Sequence, residues 1–157
     1  ILKEEGTLAS NWVFLIEGSG ALEGNLKESI DSLGLGERVQ LIGRVECLFH
    51  LYSRADLLIH PSSYDEDLPN VISEAMALGI PVLASSVGGI PEQVADGKNG
   101  LVVPGGDPVA LARKLLIITS DEQMRLTMGA EGKERYEQFF SKDLGISAYT
   151  SLYEEEH

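Results

Sequence analysis

"DLLIHPSSYDEDLPNVISEAMALGIPVLASS", Asp56 to Ser86, is the stretch that decides the fold. Asp56 to Ser63 is a short apolar run of the buried-strand kind, ended by Pro61, which has no N–H to give a strand ladder. Pro69 to Leu78 reads as a helix. Pro69 suits its first turn, Ile72, Ala75 and Met76 recur at helical spacing, and Gly79 closes it. "IPVLASS" is the next strand. Two apolar strands joined by a helix make a βαβ unit, whose strands run parallel.

The alternation continues in both directions. Upstream, Trp12 to Gly20 is a strand candidate ending in Gly-Ser-Gly, and residues 21–34 are a polar helix stopped by Gly34. Arg38 to Val45 is a strand and Cys47 to Arg54 a short helix. Downstream, "GGIPEQVADG" is a loop with a short helix that Pro91 begins, and "GLVVPGGD" is a strand and turn. Asp107 caps a helix with Pro108 in first position and Leu111, Leu115 and Ile118 on one face. Ser120 and Gln123 have capping-box spacing for another helix, ending in Tyr136, Phe139 and Phe140. Ser141 caps a last helix through Tyr153. The opening "ILKEEGTLASNW" reads as the tail of a helix and a loop, so a longer protein is expected.

The 157 residues suit one domain, with no repeat or linker. Hydrophobic residues make up 43% and charged residues 24%, which fits a folded core rather than a disordered tail. Asp and Glu number 25 against 12 Lys and Arg, a net charge of −13 that argues against nucleic-acid binding. Cys47 is the only cysteine, so no internal disulfide framework exists and a reducing compartment fits. No apolar run approaches the ~20 residues of a membrane-spanning helix.

Ligands of open α/β sheets bind at the carboxyl ends of the strands, and three loops there carry chemistry. Glu17 to Gly20 could approach a ligand closely, but the third glycine of a dinucleotide fingerprint is missing, and a plain strand-to-helix turn is the simpler reading. Asp65, Glu66 and Asp67 precede the central helix and Glu74 lies within it. Glu66 and Glu74 would stand ~12 Å apart along a helix axis, enough to engage two ends of a hydroxyl-rich ligand. With 17 Glu in 157 residues, about two such pairs arise by chance, so the spacing alone decides nothing. Asn70 and Glu74 share a face away from Ile72 and Met76, and the free amides of the first turn favour an anion. A metal site of Asp65, Glu66 and Asp67 is the weaker reading, because adjacent acids face different ways. Gly88 and Gly89 follow a strand, where either a ligand or a tight turn accounts for them. His60 ends a strand, His50 lies on a short helix and His157 is terminal. No Ser/His/Asp or Cys/His grouping supports nucleophilic hydrolysis.

Taken in order, "IEGSG", "ERVQLIGRV", Leu51 to Ala112 and "RYEQFFS" closely resemble the donor-binding, C-terminal domain of the family 4 retaining glycosyltransferases of GT-B fold. The resemblance runs from about Trp12 to Ser141. It implies a Rossmann-like three-layer α/β sandwich with a mainly parallel sheet lacking its first, central strand. Five strands would then leave a gap, and an isolated chain would be marginally stable. The family's E-x(7)-E motif falls on Glu66, the catalytic carboxylate beside the donor sugar, and Glu74, which binds the ribose hydroxyls. The amides of Leu68, Asn70 and Val71 would face sugar or phosphate oxygens. Arg44 and Val45 match the segment that contacts the base, and Gly18, Ser19, Gly20, Gly88 and Gly89 match loops lining the cleft.

Such enzymes transfer a sugar from a nucleotide diphosphate sugar with retention, and the resemblance implies no cofactor and no metal. The Arg and Lys that meet the diphosphate in the family lie on a strand-loop upstream of Ile1, and none of the twelve basic residues here matches them. The acceptor, a glycan, lipid or small molecule, would sit mainly on an N-terminal domain beyond this chain. A cytoplasmic enzyme, membrane-peripheral in some relatives, is implied, with this fragment inactive by itself. Asp67 stands where the family commonly has Gly, so either the donor pose differs or Asp67 turns outward as a helix cap. A non-catalytic nucleotide-sugar-binding or interaction module is the alternative. Nucleotide-sugar epimerisation is disfavoured by the Glu pair.

Overall fold

The computed structural model describes residues 12–155, with the last side chain at Glu154. The helix tail read at the start of the chain and His157 lie outside those residues. The elements alternate as the sequence predicts: β1 (Phe14–Glu17), α1 (Glu23–Ser32), β2 (Val39–Gly43), α2 (Phe49–Tyr52), β3 (Leu58–His60), α3 (Asn70–Ala77) and β4 (Val82–Ser86). Then come α4 (Ile90–Gln93), β5 (Gly100–Pro104), α5 (Pro108–Ser120), α6 (Glu122–Phe139) and α7 (Lys142–Glu155).

All strand pairs are parallel, and among the described residues they fall into two ribbons, β1-β2 and β3-β4-β5. Among the described residues no ladder joins β1 to β3. The smaller ribbon meets the larger body through Phe14, which packs with Leu57 and Ile59 against a cluster of Leu83, Leu101, Leu115, Ile118 and Met128. On the other sheet face Ile72, Ala75 and Met76 of α3 join Val82, Ala84, Ile90 and Val94. Each fully buried aliphatic side chain contributes about 1.5–3 kcal/mol over its exposed state, so the larger ribbon carries most of the core. By contrast, α1 has no buried residue.

Several boundaries depart from the sequence reading for local reasons. Pro69 stands one position earlier than predicted, as the N-cap of α3 with ψ 122°, because extended backbone there leads the loop into the helix. Ile90 rather than Pro91 opens α4. The cap of α6 is Asp121, not Ser120: its carboxylate accepts from the Met124 amide at 2.8 Å, while the Ser120 hydroxyl donates back to the Ile117 carbonyl. Asp107 caps α5 as predicted, accepting from the Val109 and Ala110 amides.

Candidate functional site

The carboxyl ends of the strands gather the polar residues in two places. The first is a cavity of about 390 Å³ beside the start of α3. Asp65, Glu66, Asp67 and Glu92 give it an acidic wall, and Leu68, Gly88 and Gly89 complete it. Glu66 is half-buried in the β3–α3 loop, and His60, the last residue of β3, places Nε2 3.1 Å from both of its oxygens. A hydrogen bond from the Ser62 hydroxyl holds the Glu66 carboxyl below its ordinary range; burial opposes this, and the bond and charge of His60 add to it. The same Ser62 hydroxyl lies 3.2 Å from the Tyr64 carbonyl, so its one proton serves either acceptor.

Gly88 and Gly89 reach the cavity because the Glu66–Asp67 backbone rests on them. The Gly89 amide donates to the Glu66 carbonyl at 2.8 Å, and a Cβ on either glycine would meet the backbone of Glu66 or Asp67. Packing against this loop is therefore what demands glycine here. Asp67 is exposed at the cavity and does not cap α3, whose N-cap is Pro69 without a side-chain bond. The outward-cap reading of Asp67 is thereby corrected. Asn70 and Val71 open the helix with amides that find no acceptor among the described residues, the usual state of a first turn.

The second place lies where the small ribbon faces α3. Glu17, ending β1, accepts from the Val45 amide at 3.2 Å, and the Gly18 amide donates to the Gly43 carbonyl at 2.9 Å. These bonds bring Gly18 and Val45 together at one strand edge. Glu74 is exposed on α3, opposite the buried Ile72 and Met76, as its spacing predicts. The Tyr52 hydroxyl donates to Glu74 Oε2 at 2.9 Å. Burial first, then the hydrogen bond and charge of Glu74 and the charge of Glu17, push the Tyr52 phenol well above its ordinary value. Ser19, Gly20 and Arg44 are exposed; Gly20 is engaged by the start of α1, through its carbonyl and the Glu23 amide. Tyr52 and Ser62 are the contributors the sequence did not expose. Their contacts cross between βα units or depend on a loop path, and no spacing rule records either.

Among the described residues no group of three His, Cys, Asp or Glu side chains is arranged to hold a metal ion. The polar residues thus gather at the carboxyl ends of a parallel sheet, where ligands of open α/β folds bind, with a carboxylate on each side of a helix start. The sequence profile of the "glycosyl transferases group 1" matches residues 1–135. The chain belongs to that family. It is 35% identical over 98% of its length to a D-inositol 3-phosphate glycosyltransferase of Streptomyces avermitilis, and spans 34% of that relative. It is 31% identical to an N-acetyl-alpha-D-glucosaminyl L-malate synthase of Bacillus anthracis, covering 88% of this chain and 36% of the relative. The fold matches a sucrose-phosphate synthase of Thermosynechococcus elongatus with TM-score 0.81 and 33% identity, over 90% of this chain and 37% of that one. HepE of Anabaena, solved with UDP-glucose, matches with TM-score 0.85 and 25% identity over 99% of this chain and 44% of that one. The chain thus spans about a third of its curated relatives, with the fold of the C-terminal, Rossmann-like domain of GT-B glycosyltransferases.

Proposed function

We propose that this chain is the donor-binding half of a retaining glycosyltransferase. The observation that carries the reading is the placement of the two carboxylates. Glu66 lines a cavity that reaches Leu68, just ahead of a helix whose Asn70 and Val71 amides find no acceptor among the described residues, and Glu74 stands further along that helix, bonded to Tyr52. One end of a nucleotide diphosphate sugar sits against each. The sugar lies by Glu66, where a negative charge stabilises the positive character that develops at the anomeric carbon. The ribose hydroxyls meet Glu74, an acceptor-only group suited to them. The bond from that carbon to the diphosphate breaks with its electron pair left on the diphosphate, which takes the proton of the acceptor hydroxyl as the bond to that oxygen forms on the same face. Arg44 and Val45 take the base, Leu68, Asn70 and Val71 offer amides to sugar or phosphate oxygens, and the Gly18–Gly20 and Gly88–Gly89 loops line the cleft.

No metal or cofactor takes part in this reading. The cavity wall carries four carboxylates and no cation among its lining residues, so the diphosphate needs positive charge from elsewhere. A strand-loop of the longer protein supplies it, and its strand fills the interval between β1 and β3. A second Rossmann domain brings most of the acceptor site, so the present chain alone turns nothing over. The enzyme works in the cytoplasm, free or at a membrane surface; no helix among the described residues is long and apolar enough to cross one.

The test is titration of the full-length protein and its Glu74→Ala variant with UDP-, GDP- and ADP-sugars. A ten-fold or greater loss of affinity for the sugar nucleotide that binds is expected, and unchanged affinity overturns the reading. The exposed Asp67 carboxylate at the cavity favours a second reading, a non-catalytic module that binds the same ligand. Sugar transfer by the full-length protein decides against it.

A further inference from the structure

One hydrogen bond ties the loop region of the small ribbon to the helix that carries the carboxylate pair. The Tyr52 phenol on α2 donates to Glu74 Oε2 on α3 at 2.9 Å. Its ring is half-buried and packs on the cluster formed by Ile72, Ala75 and Met76 of α3, so the hydroxyl is delivered from a fixed base. Glu74 itself is exposed and, among the described residues, makes no other side-chain hydrogen bond. Its Oε1 is thus left with both lone pairs for a ligand. A glutamate on a helix surface otherwise moves among several rotamers, and a ligand that needs one of them loses affinity by freezing the rest. A phenol is protonated at neutral pH, and partial burial with the charges of Glu74 and Glu17 moves its titration further up, so it remains a donor.

We infer that Tyr52 is a positioning residue for Glu74, holding one carboxylate oxygen so that the other is presented to a hydroxyl of the nucleotide. The inference rests on the reading of Glu74 as a nucleotide contact. Packing of the ring is a separate matter, and phenylalanine preserves it. Tyr52→Phe therefore removes the tether and leaves the core intact.

The experiment uses the full-length protein and its Tyr52→Phe, Glu74→Ala and doubly substituted variants. Each is titrated calorimetrically with UDP, GDP and ADP, with thermal unfolding measured alongside. Tyr52→Phe is expected to weaken the diphosphate that binds by about three- to ten-fold, with unfolding temperature unchanged. In the Glu74→Ala background the same substitution is expected to change nothing further. Under turnover the loss appears in the donor KM and not in kcat, because the contact is made alike in ground and transition states. Wild-type affinity in Tyr52→Phe overturns the inference. So does an equal loss in both backgrounds, which would mean that the phenol acts on the ligand directly or through the fold. If Glu74→Ala binds as tightly as wild type, or none of the diphosphates binds, the nucleotide reading of Glu74 fails and the inference falls with it.

Discussion

At Gly88 a Cβ would collide with the carbonyl oxygen of Glu66 and come within 2.7 Å of its amide nitrogen, and φ there is +51°. At Gly89 it would collide with the Asp67 carbonyl. Alanine at either position must push the Glu66–Asp67 loop away. We expect a stability loss of about 1–3 kcal/mol by urea denaturation, together with a raised donor KM in the full-length protein. Gly20→Ala, with open space around its Cβ, should stay within about 0.5 kcal/mol of wild type. Equal effects at Gly20 and Gly88 would remove the loop as the cause. Glu66 gives a pH signature as well. Its carboxyl is held low in the folded state, chiefly by Ser62, so its stabilising effect is complete above the ordinary glutamate range. That effect is lost as pH falls through the lowered value. Removing the hydroxyl in Ser62→Ala should leave a stability gap to wild type that widens as pH rises through the carboxylate range. A gap constant with pH would show that Ser62 acts only through the Tyr64 carbonyl. The sequence singled out the Glu66–Glu74 pair only through the family resemblance of the surrounding motifs, since eight-residue Glu spacing is common in so acidic a chain. The roles of Gly88, Gly89 and Ser62 were not legible, because each depends on where a loop returns in space.

Helix α6 meets α3 through glycine. A Cβ at Gly129 would strike the carbonyl oxygen of Gly79, the left-handed residue just beyond α3, whereas one at Gly132 would make ordinary contact, 3.7 Å from Met76 Cγ. The two glycines lie three apart on one helical face, so their substitution separates sterics from helix propensity. Gly129→Ala should cost about 1–3 kcal/mol as the helices are forced apart. Gly132→Ala should be neutral or stabilise by up to about 1 kcal/mol, since alanine is the better helix former. Chemical denaturation of both variants checks the contrast, and equal destabilisation would contradict the seam at Gly129. The sequence made α3 legible through Ile72, Ala75, Met76 and Gly79 but gave no hint of this seam, which is a contact between elements about fifty residues apart. Capping shows the same division. Asp107 was readable because proline follows it, while Ser120 and Asp121 are adjacent cap formers and only the course of the backbone chose between them.

Across the whole molecule, stability is unevenly shared. β4 is paired on both sides, and Val82, Leu83 and Ala84 are fully buried, so its amides should exchange only through near-global unfolding. β1 leaves Leu15 and Ile16 48% and 37% exposed, pairs among the described residues only with β2, and is followed by a helix that buries nothing. Its link to the main core is Phe14. The separation of the two ribbons was expected only through the resemblance, which implies the family's strand order, since periodicity finds strands but not the neighbours they lack. In hydrogen exchange on the 157-residue chain, β1 and β2 should therefore exchange orders of magnitude faster than β4. The proposed strand between β1 and β3 gives the full-length protein a different pattern. A strand seated there accepts from and donates to both flanking edges, so β1 and β3 gain protection together. The solvent side of β2, remote from the insertion, gains only what the stiffer ribbon confers. Matching exchange at β1 and β3 in the two proteins would exclude the insertion, and a gain at β1 without one at β3 would mean that the longer protein covers the small ribbon instead of completing the sheet.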